Sequence, residues 1–341
     1  PEHPFEKKLN AWKEVIVKAY IVRNEFNTCT EAEVNELRRQ WSELVVEGER
    51  LKRELFLHGI ERYRENNVAD RRIGLFLSQL AIREVELGNY ERADQTFKML
   101  FDSGLVLNPN VLNAAGIAAF CTSDFNRASE YLNESARLEL LQEGSLAKMA
   151  AGSLAMIPGL QEALVQEQFV ANLESKKDDL PIVKFTTTRG EIRVELFEND
   201  MPNAVASFIS LVEKGFYDGQ YFFLSDTYLL ASGSPAPDGS AEPPYQIKNE
   251  ATEEFHRNIF RGSLAMLARE DGLLDTRFAF SKTPLLYGQS RLFTIGRVIS
   301  GIELLSELST SKTTGEDGDR IIKVEVERKR EHPYLPEKVE H

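Results

Sequence analysis

Few residues in this 341-residue chain combine a reactive type with a spacing that could do chemistry. The five histidines, His3, His58, His256, His332 and His341, show no metal-ligand spacing, and Cys29 and Cys121 lie far apart with no CxxC or Cys/His pair. Neither a zinc site nor a disulfide framework is expected from them, and no cofactor is implied. Arginines such as Arg261, Arg269 and Arg277 are the remaining donors.

Those arginines are scattered, and the net charge is −13. Phosphate binding needs a basic footprint, so nucleic acid is a poor partner. No apolar run approaches the roughly 18 residues of a membrane span, so no membrane insertion is expected. Protein or peptide partners are the class left, and the oligomeric state is not readable. The chain begins at Pro1 and not at Met. That is expected when an N-terminal piece such as an export signal has been removed; exported, periplasmic and cytoplasmic locations all stay open.

The elements that must position these residues fall into two halves. From Pro4 to about Lys177 the pattern is helical. Thr30 and Glu33 have the form of a capping box. Behind them Val34, Leu37, Trp41, Leu44, Gly48, Leu51 and Leu55 make one stripe along a helix, with Trp12, Val15 and Ala19 as its facing partners. An internal helix–helix seam is the first reading and a partner-binding coiled coil the second.

The next stretch repeats itself. Leu77, Leu80, Ala81, Gly88, Asn89, Tyr90, Ala93 and Phe97 recur 35 residues on as Leu112, Ala115, Gly116, Ser123, Asp124, Phe125, Ala128 and Leu132. This is similar to the tetratricopeptide repeat, over about residues 74–142, with small residues where helices approach and an aromatic beside each turn. A degenerate third unit is expected around Gly152 and Gly159, with its turn at Pro158. Such repeats present concave faces to peptides, which makes Arg83 and Asn113 candidate partner-binding residues, a fragment of a carboxylate clamp. The alternative is an architectural stack. Ser175–Asp179 reads as a linker, so a helical domain is expected over 1–175.

After Leu180 the period becomes alternating: Val183, Phe185 and Thr187, a turn at Arg189–Gly190, then Ile192, Val194 and Leu196. Pro202 opens a helix that Gly215 stops, and Ile322, Val324 and Val326 form a last strand that should pair near the first. The expected class is multi-domain α + β: an all-α helical-repeat domain, then a closed β-barrel with two short helices over 180–328, and a C-terminal tail over 329–341.

Five strings carry a family likeness: Lys184–Glu198 (KFTTTRGEIRVELFE), Met201–Gly219 (MPNAVASFISLVEKGFYDG), Ile247–Ala251 (IKNEA), Arg261–Met266 (RGSLAM) and Ile295–Leu305 (IGRVISGIELL). In this order and near this spacing the C-terminal half resembles the cyclophilins, which are peptidyl-prolyl cis-trans isomerases. The resemblance implies a groove that holds a proline in an apolar pocket. An arginine there hydrogen-bonds the substrate backbone and favours the twisted amide over the planar one.

The groove positions are where this chain departs from the family. Phe222 matches the family's Phe, Phe223 replaces its His, and Leu224 stands where the arginine should be. The Phe-Met-x-Gln stretch becomes Tyr228, Leu229, Leu230 and Ala231. The Gln-Phe-Phe stretch becomes Arg277, Phe278 and Ala279, and Leu285 and Leu286 take the place of the aromatic-Leu pair. The family's last groove histidine falls near Leu292. The expected substrate groove is therefore Leu224, Tyr228, Leu229, Ala231, Phe278, Ala279, Leu285, Leu286 and Leu292. No confident catalytic residue is present, and Arg277 is the candidate substitute donor, with Arg269 and Arg291 behind it. Scaffold strings beside a rewritten groove suggest a pseudo-enzyme acting as a protein-binding, scaffolding or chaperone-like module. The alternative is an active or weakly active isomerase assisting protein folding.

Overall fold

The computed structural model describes residues 3–31, 33–65, 70–105, 108–252, 256–286, 291–310 and 318–339. Contacts divide the chain into two compact units: Pro1–Arg83 with Gln95–Val111, and Glu84–Asp94 with Leu112–His341.

The first unit is built on helices α1 (Pro4–Glu25) and α2 (Val34–Glu65), with most of α3 (Arg71–Glu86) and α4 (Tyr90–Asp102). Half of the expected capping box forms: the Thr30 N–H donates to Glu33 Oε2 at 2.9 Å, but the Thr30 hydroxyl donates to the same carboxylate at 2.7 Å and the Glu33 N–H goes to the Thr30 carbonyl at 3.0 Å. The bonds to its carboxylate hold the exposed Glu33 carboxyl below the usual carboxylate range. A Cβ added at Gly48 would meet Val15 at 3.6 Å, an ordinary contact, so the α1–α2 seam runs where the stripe places it. Trp41, in mid-stripe, nevertheless stays 37% exposed. The core of the unit gathers Phe5, Leu55, Phe56, Tyr63, Ile73, Leu77 and Leu100.

The second unit opens with α5 (Val111–Cys121), α6 (Phe125–Arg137) and α7 (Ser145–Lys177). Gly116 lets α5 approach α6 closely, since a Cβ there would stand 2.4 Å from Leu132. Arg127 ties α6 to the start of α4 by donating to both carboxylate oxygens of Asp94 at 2.8 and 2.9 Å. Two sequence expectations fail along α7. Pro158 makes no turn but lies inside one unbroken helix, and that helix runs on through Ser175–Lys177, leaving only Asp178–Asp179 outside it. Asp178 ends it in the left-handed conformation, φ 45°. Burial of Ala147, Ala150, Ile157, Leu160 and Ala163 along one face outweighs the hydrogen bond lost at the proline.

The rest of the unit is a curled antiparallel sheet of eight strands: β1 (Ile182–Thr187), β2 (Gly190–Leu196), β3 (Leu224–Ser225), β4 (Leu229–Ser232), β5 (Ser263–Ala268), β6 (Leu274–Ser281), β7 (Leu292–Ser300) and β8 (Ile321–Arg328). Their order is β3-β4-β6-β5-β7-β2-β1-β8. The last strand pairs with the first, and just ahead of β3 Tyr221 bridges Arg320. Among the described residues, α8 (Pro202–Glu213) and the single turn α9 (Leu304–Glu307) accompany the sheet. The β1–β2 turn falls one residue earlier than expected, at Thr188–Arg189, with Gly190 opening β2 opposite Thr187. On β8 the expected face is partly wrong: Ile321 is buried while Ile322 is 52% exposed. An irregularity in register between Thr186 and Thr187 moves the inward position by one residue.

Inside the sheet, Phe185, Phe208, Tyr217, Phe278 and Phe280 form an aromatic core, with ring centroids 5.0–5.8 Å apart at the tightest pairs. Outside it, α7 is clamped by Arg257, which donates to Glu174 at 3.0 and 3.2 Å and to Glu167 at 3.0 Å. The Arg257 guanidinium also lies 3.8 Å above the Phe197 ring. Burial pushes the Glu167 carboxyl up, and the charges of Arg257 and Arg297 oppose that rise.

Candidate functional site

Alternation along the strands decides which expected groove residues meet. Leu224 on β3 is opposite Ala231 on β4, Ala231 is opposite Ala279 on β6, and Ala279 is opposite Ala265 on β5. One row of cross-strand neighbours thus crosses four strands, with side chains roughly 5 Å apart on one face. Ala231, Ala265 and Ala279 are at most 1% exposed. They belong to an apolar cluster with Ile259 and Leu292, against which Phe223, Leu224, Leu229, Leu267 and Leu285 pack half-buried. Alanines make the floor, and leucines flank it.

Of the expected groove residues, Leu224, Leu229, Ala231, Ala279, Leu285 and Leu292 are brought together in this cluster. Leu285 is set there by its N–H, which donates to the Ile259 carbonyl at 2.9 Å. Tyr228 stands 46% exposed beside them, on a backbone fixed by Asp226, whose carboxylate accepts from the N–H groups of Tyr228 and Leu229 at 2.8 Å each. Phe278 and Leu286 are corrections. Phe278 points to the opposite face and sits in the aromatic core, because adjacent residues of a strand face opposite ways. Leu286 turns toward α7, where a Cβ at Gly159 would come within 3.0 Å of it.

Arg277, the candidate substitute donor, is held by a carboxylate. Its Nε donates to Asp275 Oδ2 at 3.0 Å, a second guanidinium nitrogen bonds the same carboxylate, and the Asp275 side chain is fully buried. Asn113 is a further correction: it is 8% exposed, its amide donates to the Leu140 carbonyl at 2.8 Å, and its oxygen accepts from the Ser135 hydroxyl at 2.5 Å. Those bonds make it an internal brace and not a surface contact. Arg83 lies in the other compact unit.

Sequence reasoning missed Ala265, Leu267, Ile259 and the apolar role of Phe223, all members of the cluster. The RGSLAM string held the signal, since its alternation places Ala265 on the face opposite Leu264 and Met266. It also missed Lys282, the residue after β6. Lys282 is 7% exposed, its ammonium donates to the Ser225 hydroxyl at 2.9 Å, and burial pushes its pKa down to about 8. Among the described residues no group of three or more His, Cys, Asp or Glu could hold a metal ion, and no helix is long and apolar enough to cross a membrane.

The sequence of this region answers to a known family. The profile of the cyclophilin type peptidyl-prolyl cis-trans isomerase/CLD family matches residues 182–328. A peptidyl-prolyl cis-trans isomerase of Helicobacter pylori is 33% identical over 129 residues, 37% of this chain and 77% of that protein. The isomerase cypE of Dictyostelium discoideum is 31% identical over 150 residues, 41% of this chain and 94% of its own length. The chain belongs to the cyclophilin-type peptidyl-prolyl cis-trans isomerase family. A further relative, peptidyl-prolyl isomerase CWC27 of Mycosarcoma maydis, is 28% identical over 156 residues, but this chain spans only 29% of its length. Among solved structures, a Cryptosporidium parvum cyclophilin superposes with a TM-score of 0.39 at 20% identity, covering 44% of this chain and 99% of its own.

Proposed function

We propose that the C-terminal domain binds protein segments on its leucine-flanked face and does not rotate prolyl bonds at rates typical of its family. One observation carries the reading. The row Leu224, Ala231, Ala279 and Ala265 has no side-chain hydrogen-bond donor, and the half-buried Leu229, Leu267 and Leu285 pack against the same cluster. Rotation about a prolyl amide faces a barrier of roughly 18–20 kcal/mol. An apolar surface can hold a proline but offers nothing that strengthens as the amide twists, so it binds ground and transition states alike.

The same reading treats α3–α6 as two tetratricopeptide-like units of a helical domain over 1–175, and the curled sheet over 180–328 as a barrel closed through the Tyr221–Arg320 bridge. Residues 329–341 form its tail. The whole is a scaffolding or chaperone-like pseudo-enzyme. The rival, a weakly active isomerase that assists folding, is favoured by relatives 31–33% identical that bear the isomerase name. Exchange spectroscopy on a proline peptide, with and without the full chain, separates the two. Unchanged cis–trans exchange at equimolar protein supports the proposal, whereas catalysed exchange refutes it.

A further inference from the structure

Beside the leucine-flanked face lies an open cavity of about 550 Å³, lined by Leu267, Ala268, Arg269, Glu270, Asp271, Arg277 and Arg291. It is continuous with that face. Leu267 belongs to both, Arg277 precedes Phe278–Ala279 on β6, and Arg291 precedes Leu292. The Arg291 carbonyl accepts from the Ala268 N–H at 2.8 Å, which fixes the two walls to each other.

The charges in this cavity are unequal in how they are held. The Arg277 fork is pinned by the buried Asp275 carboxylate. Arg269 and Arg291 instead meet Glu242 at 3.3 Å and Glu270 at 3.9 Å, carboxylates whose side chains are 85% and 94% exposed. Exposed pairs of that kind contribute little, so an incoming carboxylate displaces them at small cost. Asp271 is occupied locally, accepting from the Leu273 N–H at 3.1 Å. The guanidinium side chains of Arg269 and Arg277 are only 31% and 29% exposed, while the acidic partners of Arg269 and Arg291 point into water.

We infer that this cavity receives the side-chain carboxylate of a glutamate or aspartate in an extended protein segment, whose adjoining apolar residue packs on Leu267, where the cavity meets the apolar face, while residues further along the segment reach Leu229 and Tyr228. The inference rests on the proposal that this face binds protein segments, and names the kind of segment it selects. Guanidinium groups recognise a planar carboxylate through paired N–H donors, and the apolar neighbour supplies contact area. On a chain of net charge −13 the preference must come from these local donors and not from the overall field, which repels acidic peptides at a distance.

The test is an array of acetylated, amidated octapeptides with one fixed leucine or proline, the flanking positions varied among Glu, Gln, Lys and Ala, and a matched set ending in a free C-terminal carboxylate. The full chain is applied, and dissociation constants for the best binders follow from fluorescence anisotropy. We expect Glu peptides to bind about tenfold more tightly than their Gln counterparts at low salt. That preference should fall to within about twofold in the Arg269→Gln/Arg291→Gln double variant, with binding of the Gln peptide unchanged. Equal binding of Glu and Gln peptides overturns the carboxylate inference and leaves the apolar face standing. A preference seen only with a free C-terminus overturns it in favour of terminus recognition. No binding by any peptide overturns both. Circular dichroism of the double variant guards against misfolding, and Arg269→Lys, which keeps the charge but loses the fork, should keep part of the preference.

Discussion

The two faces of one sheet tell opposite stories. On β4, β5 and β6 the inward residues Leu230, Leu264, Met266, Phe278 and Phe280 are large and close-packed. Their immediate neighbours on the outward face include Ala231, Ala265 and Ala279. Leu264 and Met266 of the RGSLAM string face inward, and Leu224, Ala231 and Ala279, the positions that the resemblance sets at the groove, lie on the outward face. A strand's period of two lets one face change its chemistry while the other keeps the fold, because the two sets of side chains share a backbone and little else. Membership of the family is therefore compatible with a leucine at position 224 and alanines at 231 and 279 on the outward face.

The largest expected effect lies inward. Phe278→Ala removes a ring that touches Phe185, Phe208, Tyr217 and Phe280. The cost should be about 3–5 kcal/mol in urea unfolding of the C-terminal transition. A loss under 1 kcal/mol would erase the contrast between the faces. One residue further along, Ala279→Phe restores the family's aromatic type on the outward side. Ala279 is 1% exposed among the leucines, so the ring overpacks the cluster and should cost about 1–3 kcal/mol. If Ala279→Phe proves neutral, the leucines move aside easily and the face is an open groove after all.

Lys282 gives the contrast a pH dependence. Its charge is buried, and burial lowers its pKa in the folded protein to about 8, against about 10.4 in the unfolded chain. Between those values the unfolded state binds more protons, so stability rises with pH from about 8 to 10.4 and the penalty of burying the charge is present in full below 8. Lys282→Met should then stabilise the protein by on the order of 1–3 kcal/mol at pH 7, with the gain vanishing above pH 10. Thermal melts of the two proteins across that range check it; a constant difference would show that the ammonium's bond to Ser225 matters more than its desolvation.

Much of this was legible before the fold was known, for identifiable reasons. The Thr30–Glu33 contact and the β1–β2 turn depend on neighbouring residues alone, and both form close to where the sequence puts them: the carboxylate reaches back to the Thr30 N–H, and the turn lies one residue early at Thr188–Arg189. Pro158 and Ser175–Lys177 misled because a proline or a polar run weakens a helix only locally, whereas α7 is held by packing and by ion pairs to Arg257, far away in sequence. Asn113 misled for the same reason: its partners Leu140 and Ser135 come from other parts of the chain. In the candidate site the family positions led to Leu224, Ala231 and Ala279. For Ala265 the alternation in RGSLAM shows its face, but its place opposite Ala279 needed the strand register, which no single string contains.

The smallest effect on stability, and the sharpest on function, belongs to Tyr228. Its ring is 46% exposed at the edge of the outward cluster, and Asp226 holds its backbone independently of the side chain. Removing the ring in Tyr228→Ala therefore leaves no buried cavity and frees no backbone donor, and the unfolding free energy should change by no more than about 0.5 kcal/mol. Binding is another matter if the outward face is used. A half-exposed tyrosine beside leucines offers a large rigid contact at low entropic cost, and such residues often contribute about 1–2 kcal/mol to an interface. Peptides selected on the intact protein should bind Tyr228→Ala about ten times more weakly by anisotropy, with glutamate and glutamine peptides weakened equally because the arginine cavity is untouched. Unchanged affinity would move the contact surface away from Tyr228, and a selective loss of the glutamate peptides would mean that the ring positions the carboxylate and does not pack on the apolar residue.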